Sequence, residues 1–208
     1  VGPQLGNLLD AQAAYTEGVL GVFARPGSVS GRQLGEVRAA TRLARSNAEM
    51  SVQKMADEPA RSRRGAPVDL ATARGVVTNG RRISAVLVNL QAHLPPEGSG
   101  QLPGVGQFAD AMAARLRTEA GALRHRVTPW RTGERVSAAL GHLGLQPAAG
   151  AHAGPVGGDE VSLRSVHRQM ATELSKGANG TTVSLPLLLS ETDELVDAVN
   201  SISEMLSR

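Results

Sequence analysis

Apolar side chains along this chain recur at steps of three and four, the spacing that aligns one face of an α-helix. The first such stretch, about 3–25, places Leu5, Leu8, Tyr15, Val19 and Val22 near one face and stops at Pro26-Gly27. The second, about 30–57, carries Leu34, Val37, Thr41, Ala44, Ala48, Ser51 and Met55 in alternating steps, the period of a seam against another helix. Many of these residues are small, so a neighbouring backbone can approach closely. Glu58-Pro59 ends the stretch, because the residue before a proline is pushed away from helical angles.

After a basic linker over 61–67, Asp69 can cap a third helix running to about Leu94. Leu70, Ala73, Val76, Gly80, Ile83, Leu87, Leu90 and Leu94 form its stripe, and Val86-Leu87-Val88 is apolar on several sides, which predicts a central position. Pro95-Pro96 stops it, and 97–104 reads as a Gly/Pro-rich loop. A fourth helix over about 105–127 shows Phe108, Met112, Leu116, Ala120 and Leu123 before the break at Thr128-Pro129-Trp130, and a shorter helix with Val136, Leu140 and Leu143 follows.

Residues 144–158, rich in Gly, Ala and Pro, read as the second and most flexible loop. Asp159 is placed to cap a segment carrying Leu163, Val166, Met170 and Leu174, with Lys176-Gly177 and Asn179-Gly180 as its stop. The last helix has Ser184 as cap, Pro186 in its first turn, and Leu188, Thr192, Leu195, Val199, Ile202 and Leu206 at steps of three and four. Only 181–185 is strand-like, and it is short. The pattern predicts one all-α domain over 1–208, an antiparallel bundle of about five or six helices joined by short turns and two longer loops.

Composition agrees with helix. Hydrophobic residues make up 41% but aromatics only 2%, so the core must be built from the aliphatic side chains and Ala that helices pack well. A sequence pI of 10.1 suggests a strongly basic protein, yet the net charge is only +3. Nearly every cation is Arg and there is no Cys, so little titrates between neutrality and high pH, and the mild net charge is the better guide. Without Cys there is no disulfide framework, thiolate metal site or thiol nucleophile. No signal peptide is visible, and no apolar run approaches the roughly 20 residues of a membrane span. The chain opens on Val1 rather than Met, which leads us to expect a processed chain or an excised portion of a larger protein.

Candidate chemistry is sparse. None of the histidines (His93, His125, His142, His152, His167) stands three or four residues from another, and no Glu-x-x-His occurs, so no helical metal-ligand pair exists. They read as surface or capping residues. The adjacent carboxylates Asp57-Glu58, Asp159-Glu160 and Asp193-Glu194 point about 100° apart on a helix, which suits capping better than acid/base catalysis. There is no Gly-x-Ser-x-Gly elbow, and Gly104-Val105-Gly106 lacks both the preceding strand and the third glycine of a dinucleotide fingerprint. Asn179-Gly180-Thr181 matches a glycosylation sequon but reads more simply as a helix stop. We therefore expect a non-catalytic protein with no catalytic, cofactor-binding or metal residues.

The charge pattern is more telling. Between Arg25 and Arg64 stand nine cations, including Arg38, Arg42 and Arg45, against four acids. The final helix reverses this, with five acids between Glu191 and Glu204. The two helices could attract one another across the bundle, or the arginines could form a solvated face steadied by Arg45 and Glu49 at i, i+4. Contact with an anionic lipid surface or a partner protein is the functional alternative. Nucleic acid is disfavoured, because stacking aromatics are nearly absent and no recognition motif is visible.

The run Arg42-Leu43-Ala44-Arg45-Ser46-Asn47-Ala48-Glu49, closed by Glu58-Pro59, resembles a pattern in the fusaric-acid-resistance (FUSC-type, aromatic acid exporter-like) family of bacterial inner-membrane proteins. In that family a helix bearing Ala-Arg, Asn-Ala-Glu and Glu-Pro lies in the cytoplasmic part, and a Leu- and Arg-rich helix follows, as 69–94 does here. The resemblance covers 28–96; nothing after 97 carries it. It implies a cytoplasmic helical domain at the inner face of the membrane, with a scaffolding or subunit-contact role and the protein's own membrane-embedded portion and a homo-oligomer as partners. The basic stretch fits the positive-inside bias. Arg42, Arg45, Asn47 and Glu49 match the motif and are the candidate interaction residues. A stand-alone helical interaction or regulatory module is the alternative.

Overall fold

The structure, a computed structural model, describes residues 1–59, 66, 68–125, 162–177 and 184–208. Most of the basic linker, the break at Thr128-Pro129-Trp130, the short helix with Val136, the loop 144–158, the Asp159 cap and the Asn179-Gly180 stop lie outside them. The fold is all-α. Six helices are described: α1 (Gly2–Ala24), α2 (Gly31–Asp57), α3 (Leu70–Ala92), α4 (Val105–His125), α5 (Leu163–Gly177) and α6 (Leu185–Ser207).

Local sequence sets the boundaries. Ser30 opens α2 with a reciprocal box: its hydroxyl accepts from the Gln33 N–H, and the Gln33 side chain accepts from the Ser30 N–H. Asp69 opens α3, accepting from the Thr72 N–H at 2.9 Å and the Thr72 hydroxyl at 2.6 Å. These bonds hold the Asp69 carboxyl below its usual range. The cap is therefore at full strength above the ordinary carboxylate range and is lost as pH falls through the lowered value. Ser184 occupies the cap position of α6, but its side chain makes no capping bond. The turn after α1 and the loop into α4 place Gly27, Gly98 and Gly104 at positive φ.

Cross-helix partners fix the directions. Asn7 and Asp10 meet Arg124, Glu17 meets Arg117, and Gly6 faces Ala120, so α1 and α4 run antiparallel. Thr41 bonds to Ala11 while Leu34 lies against Gly18, so α2 returns antiparallel to α1. Gln12 with Gly80, and Tyr15 with Gln91, set α3 parallel to α1. Gly75 against Met205, with Asn89 bonded to Glu191, sets α6 antiparallel to α3. Phe108 and Gly104 of α4 face His167 and Met170 of α5, again antiparallel. Helices α1, α3, α6 and α4 thus form a four-helix ring, with α2 laid against α1 and α3 and α5 laid against α4 and α6. No strand occurs among the described residues.

The core is continuous and aliphatic, running from Leu5 and Leu9 in α1 to Leu195 and Ile202 in α6. One expectation needs correction. Val86 and Leu87 are buried but Val88 is 37% exposed, because the α2 side of α3 opens into a cleft at that point. The more enclosed helix is α1, which is flanked by α2, α3 and α4 and buries Gln12 and Thr16 as well as its apolar stripe. Gln12 Nε2 donates to the Gly80 carbonyl at 2.5 Å, and Thr16 returns its hydroxyl proton to the Gln12 carbonyl at 2.9 Å.

Gly80 is where α1 and α3 approach closely: an added Cβ would lie 3.1 Å from both Leu8 Cδ2 and Gln12 Nε2. Leu8 is fully buried and Gln12 is fixed by its bond, so neither can yield cheaply. Gly80→Ala is expected to destabilise by about 1 kcal/mol, overpacking outweighing the gain in helix propensity. At Gly35 in α2 an added Cβ meets nothing within 4 Å. Gly35→Ala should stabilise by about 0.5–1 kcal/mol. Urea midpoints shifting in the same direction for both variants would contradict this account of α1–α3 packing.

Candidate functional site

Helix α2 presents three faces, and each has a different fate. Its core face carries Leu34, Thr41, Ala48, Val52 and Met55, all buried. Thr41 donates its hydroxyl proton either to Val37 O at 2.9 Å or across to Ala11 O at 3.1 Å. The small residues expected to leave room for an outside partner are partly used here: Ala48 is fully buried in the chain's own core, while Ala44 and Ser51 are half-buried.

A second face, set by Arg38, Arg42 and Arg45 at i, i+4 and i+7, turns toward α3. With Arg81, Ser84, Ala85 and Val88 of α3, and with Tyr15 and Thr41, it lines a cleft of about 250 Å³. Tyr15 is 1% exposed and donates its hydroxyl to Gln91 Oε1 at 2.5 Å. Burial raises the phenol's pKa, and the charges of Arg38 and Arg42 work against that rise. Arg38 Nε is buried without an acceptor. Among the described residues neither Arg38 nor Arg42 has a carboxylate partner. Glu49 sits beside the cleft and is engaged, 2.9 Å from Arg81 Nε and 3.8 Å from Arg45 Nε.

The third face points outward. Leu43 is 64% exposed and Met50 61%, the two most exposed large apolar side chains among the described residues. They lie seven residues apart, two helical turns, with the half-buried Asn47 between them and the exposed Ala39, Ala40 and Lys54 continuing the face.

Of the candidates read from sequence, the structure brings Arg42 and Arg45 to the cleft, places Glu49 beside it and leaves Asn47 on a different flank of α2. Arg38 belongs to the same arginine stripe and was legible as such. Arg81, Ser84 and Tyr15 come from other helices and carry no local signal. The proposed attraction between α2 and α6 is not what the charges do: no described ion pair joins these helices. The acids of α6 turn instead to α3 and α5, through Arg82–Glu194 at 3.4 Å, Asn89–Glu191 at 2.7 Å and Arg164–Asp197 at 2.6 Å. Within α2, Arg32 and Arg45 pair with Glu36 and Glu49, while Arg38 and Arg42 have no carboxylate partner among the described residues.

His93 and His125 sit at helix ends, with His93 Nδ1 2.9 Å from Asn89 O. His142 and His152 lie outside the described residues. His167 departs from the expected surface role. Its Nε2 donates to the Thr192 hydroxyl at 2.9 Å, and its ring stacks at a tilt on Phe108 with centroids 5.6 Å apart. Thr192 in turn donates to Leu188 O at 2.7 Å, which leaves its oxygen free to accept.

A larger groove, about 560 Å³, lies among α3, α4, α5 and α6, but its arginines Arg82, Arg115 and Arg164 are each paired with a carboxylate. No His, Cys, Asp and Glu cluster suited to a metal ion occurs among the described residues. No carboxylate or imidazole lines the α2–α3 cleft. Its groups are hydrogen-bond donors and hydroxyls, equipped for recognition rather than proton transfer near neutrality. No family model, curated protein or solved structure matches the chain.

Proposed function

We propose that this chain is a non-catalytic helical domain acting in scaffolding or subunit contact, as the cytoplasmic portion of a bacterial transporter-like membrane protein of the FUSC type. Its contact surface is the outward face of α2, and the occupant is a second copy of the chain. The observation that carries this reading is the exposed pair Leu43 and Met50, on a helix whose other faces are already committed to the core and to the cleft. The exposed Ala39 and Ala40 on the same helix permit close approach of a second helix. The segment that resembles the family, Arg42 to Glu49, lies on this helix too. No helix among the described residues is long and apolar enough to cross a membrane.

Burying Leu43 and Met50 of both copies would contribute roughly 1.5–3 kcal/mol per side chain before the cost of association, which predicts a micromolar or weaker dimer. Sedimentation equilibrium over a wide concentration range should show reversible dimerisation. Leu43→Glu/Met50→Glu should abolish it and leave helicity unchanged, since both side chains are solvent-exposed in the single chain. A strict monomer at the highest concentrations would overturn the self-association reading.

A further inference from the structure

We propose that the cleft between α2 and α3 is a binding site for a phosphate monoester group, gripped by Arg38, Arg42, Arg45 and Arg81 over the Ser84 hydroxyl. This does not rest on the subunit contact, which uses a different face of α2. Four arginines from two antiparallel helices line the cleft; Glu49 pairs with Arg81 and Arg45, and among the described residues Arg38 and Arg42 have no carboxylate partner. Holding like charges together is unfavourable unless an anion joins them. Arg38 Nε states the same requirement at the level of one atom: a buried charged donor without an acceptor is costly, and an oxyanion in the cleft supplies the acceptor.

The hydroxyls around the cleft are not equivalent. Thr41 spends its proton on backbone carbonyls and Tyr15 spends its own on Gln91. Ser84 accepts from Gln12 Nε2 at 3.4 Å, which leaves its proton to donate into the cleft. The donor set therefore consists of several guanidinium forks and one neutral hydroxyl. A carboxylate offers two oxygens and a single charge, whereas a phosphate monoester offers three terminal oxygens and more negative charge near neutrality, and so can engage more guanidiniums at once. A cleft of about 250 Å³ is small for a drug-sized ligand and adequate for a phosphate with a short organic portion, for which Ala85 and Val88 provide an apolar wall.

The group can belong to a soluble phosphomonoester or to a lipid headgroup, and two probes separate them. Thermal shift and calorimetry would use inorganic phosphate and glycerol 3-phosphate at constant ionic strength. Co-sedimentation would use phosphatidylcholine vesicles with and without phosphatidic acid. A saturable rise in Tm with the soluble probes, lost in Arg38→Gln/Arg42→Gln, assigns a soluble ligand. Binding to phosphatidic acid vesicles alone, lost in the same variant, assigns the lipid. Arg32→Gln, which alters an exposed arginine outside the cleft, should retain either response.

The affinity loss in the double variant should be at least tenfold. Ser84→Ala should give a smaller loss, and the probe-free Tm of Arg38→Gln should be no lower than that of the parent, because the change removes an unpartnered charge. The proposal is overturned if neither probe binds, or if the double variant binds as well as the parent.

Discussion

Replacing Phe108 with alanine is expected to lower the unfolding free energy by about 3–5 kcal/mol, the largest single-residue effect anticipated for the core. The chain has two Phe, one Tyr and one Trp, so its interior rests on aliphatic side chains and tolerates few large voids. Phe108 is 0% exposed, sits in the first turns of α4, and is the aromatic neighbour of His167 on α5. Truncation removes the apolar area of the ring, opens a cavity between α4 and α5, and takes away one wall of the His167 site. Against a total stability of about 5–15 kcal/mol for a domain, such a loss brings the protein close to its unfolding threshold. Urea denaturation followed by circular dichroism gives the value. Leu43→Ala, at an exposed position, serves as the reference and should change stability by no more than about 0.5 kcal/mol. If the two variants were equally stable, Phe108 would not be in the core described.

The helices were legible because punctuation and periodicity agree. Pro26-Gly27, Glu58-Pro59 and Pro95-Pro96 bracket stretches whose apolar positions recur at three and four, and Asp69 and Ser30 stand where α3 and α2 begin. A stripe marks which residues are apolar, but not how many neighbours a helix has. Helix α1 shows one stripe in sequence and is enclosed by three helices in the fold, so Gln12 and Thr16, polar and locally unremarkable, are in the core. The partner that makes Gln12 tolerable there, the Gly80 carbonyl, lies 68 residues away. Val88 illustrates the converse: an apolar run marked it as central, while the α2–α3 cleft leaves it partly open.

Charge was legible as composition but not as pairing. An arginine-rich α2 and an acidic α6 invite the idea of mutual attraction, yet register places Glu194 and Asp197 beside Arg82 and Arg164. The candidate site shows the same division. Arg38, Arg42 and Arg45 form a stripe that helix geometry alone predicts, whereas the opposing wall at Arg81 and Ser84 and the Tyr15 hydroxyl depend on how three helices align. Asn47 parts from the arginines for a related reason: two residues from Arg45, it sits about 200° around the helix, between Leu43 and Met50 on the outward face.

The second large effect is expected at the polar bridge between α4 and α6. Glu119 is only 6% exposed, and its Oε1 lies 2.9 Å from Arg115 Nε and accepts the Ser203 hydroxyl at 2.7 Å. Arg115→Met should destabilise by about 3 kcal/mol, the low end for breaking a buried pair, because the arginine side chain is itself 29% exposed. The cost comes from the carboxylate left in the interior with one neutral donor, more than from the attraction lost. Arg115→Met/Glu119→Leu should therefore recover most of the loss: the stranded charge is gone, and Ser203 keeps Val199 O at 3.2 Å as an acceptor. A double-mutant cycle by urea denaturation reads the coupling directly. A single Arg115→Met variant costing less than about 1 kcal/mol, or a double variant less stable than the single, would show that Glu119 is not held as an ion within the bundle.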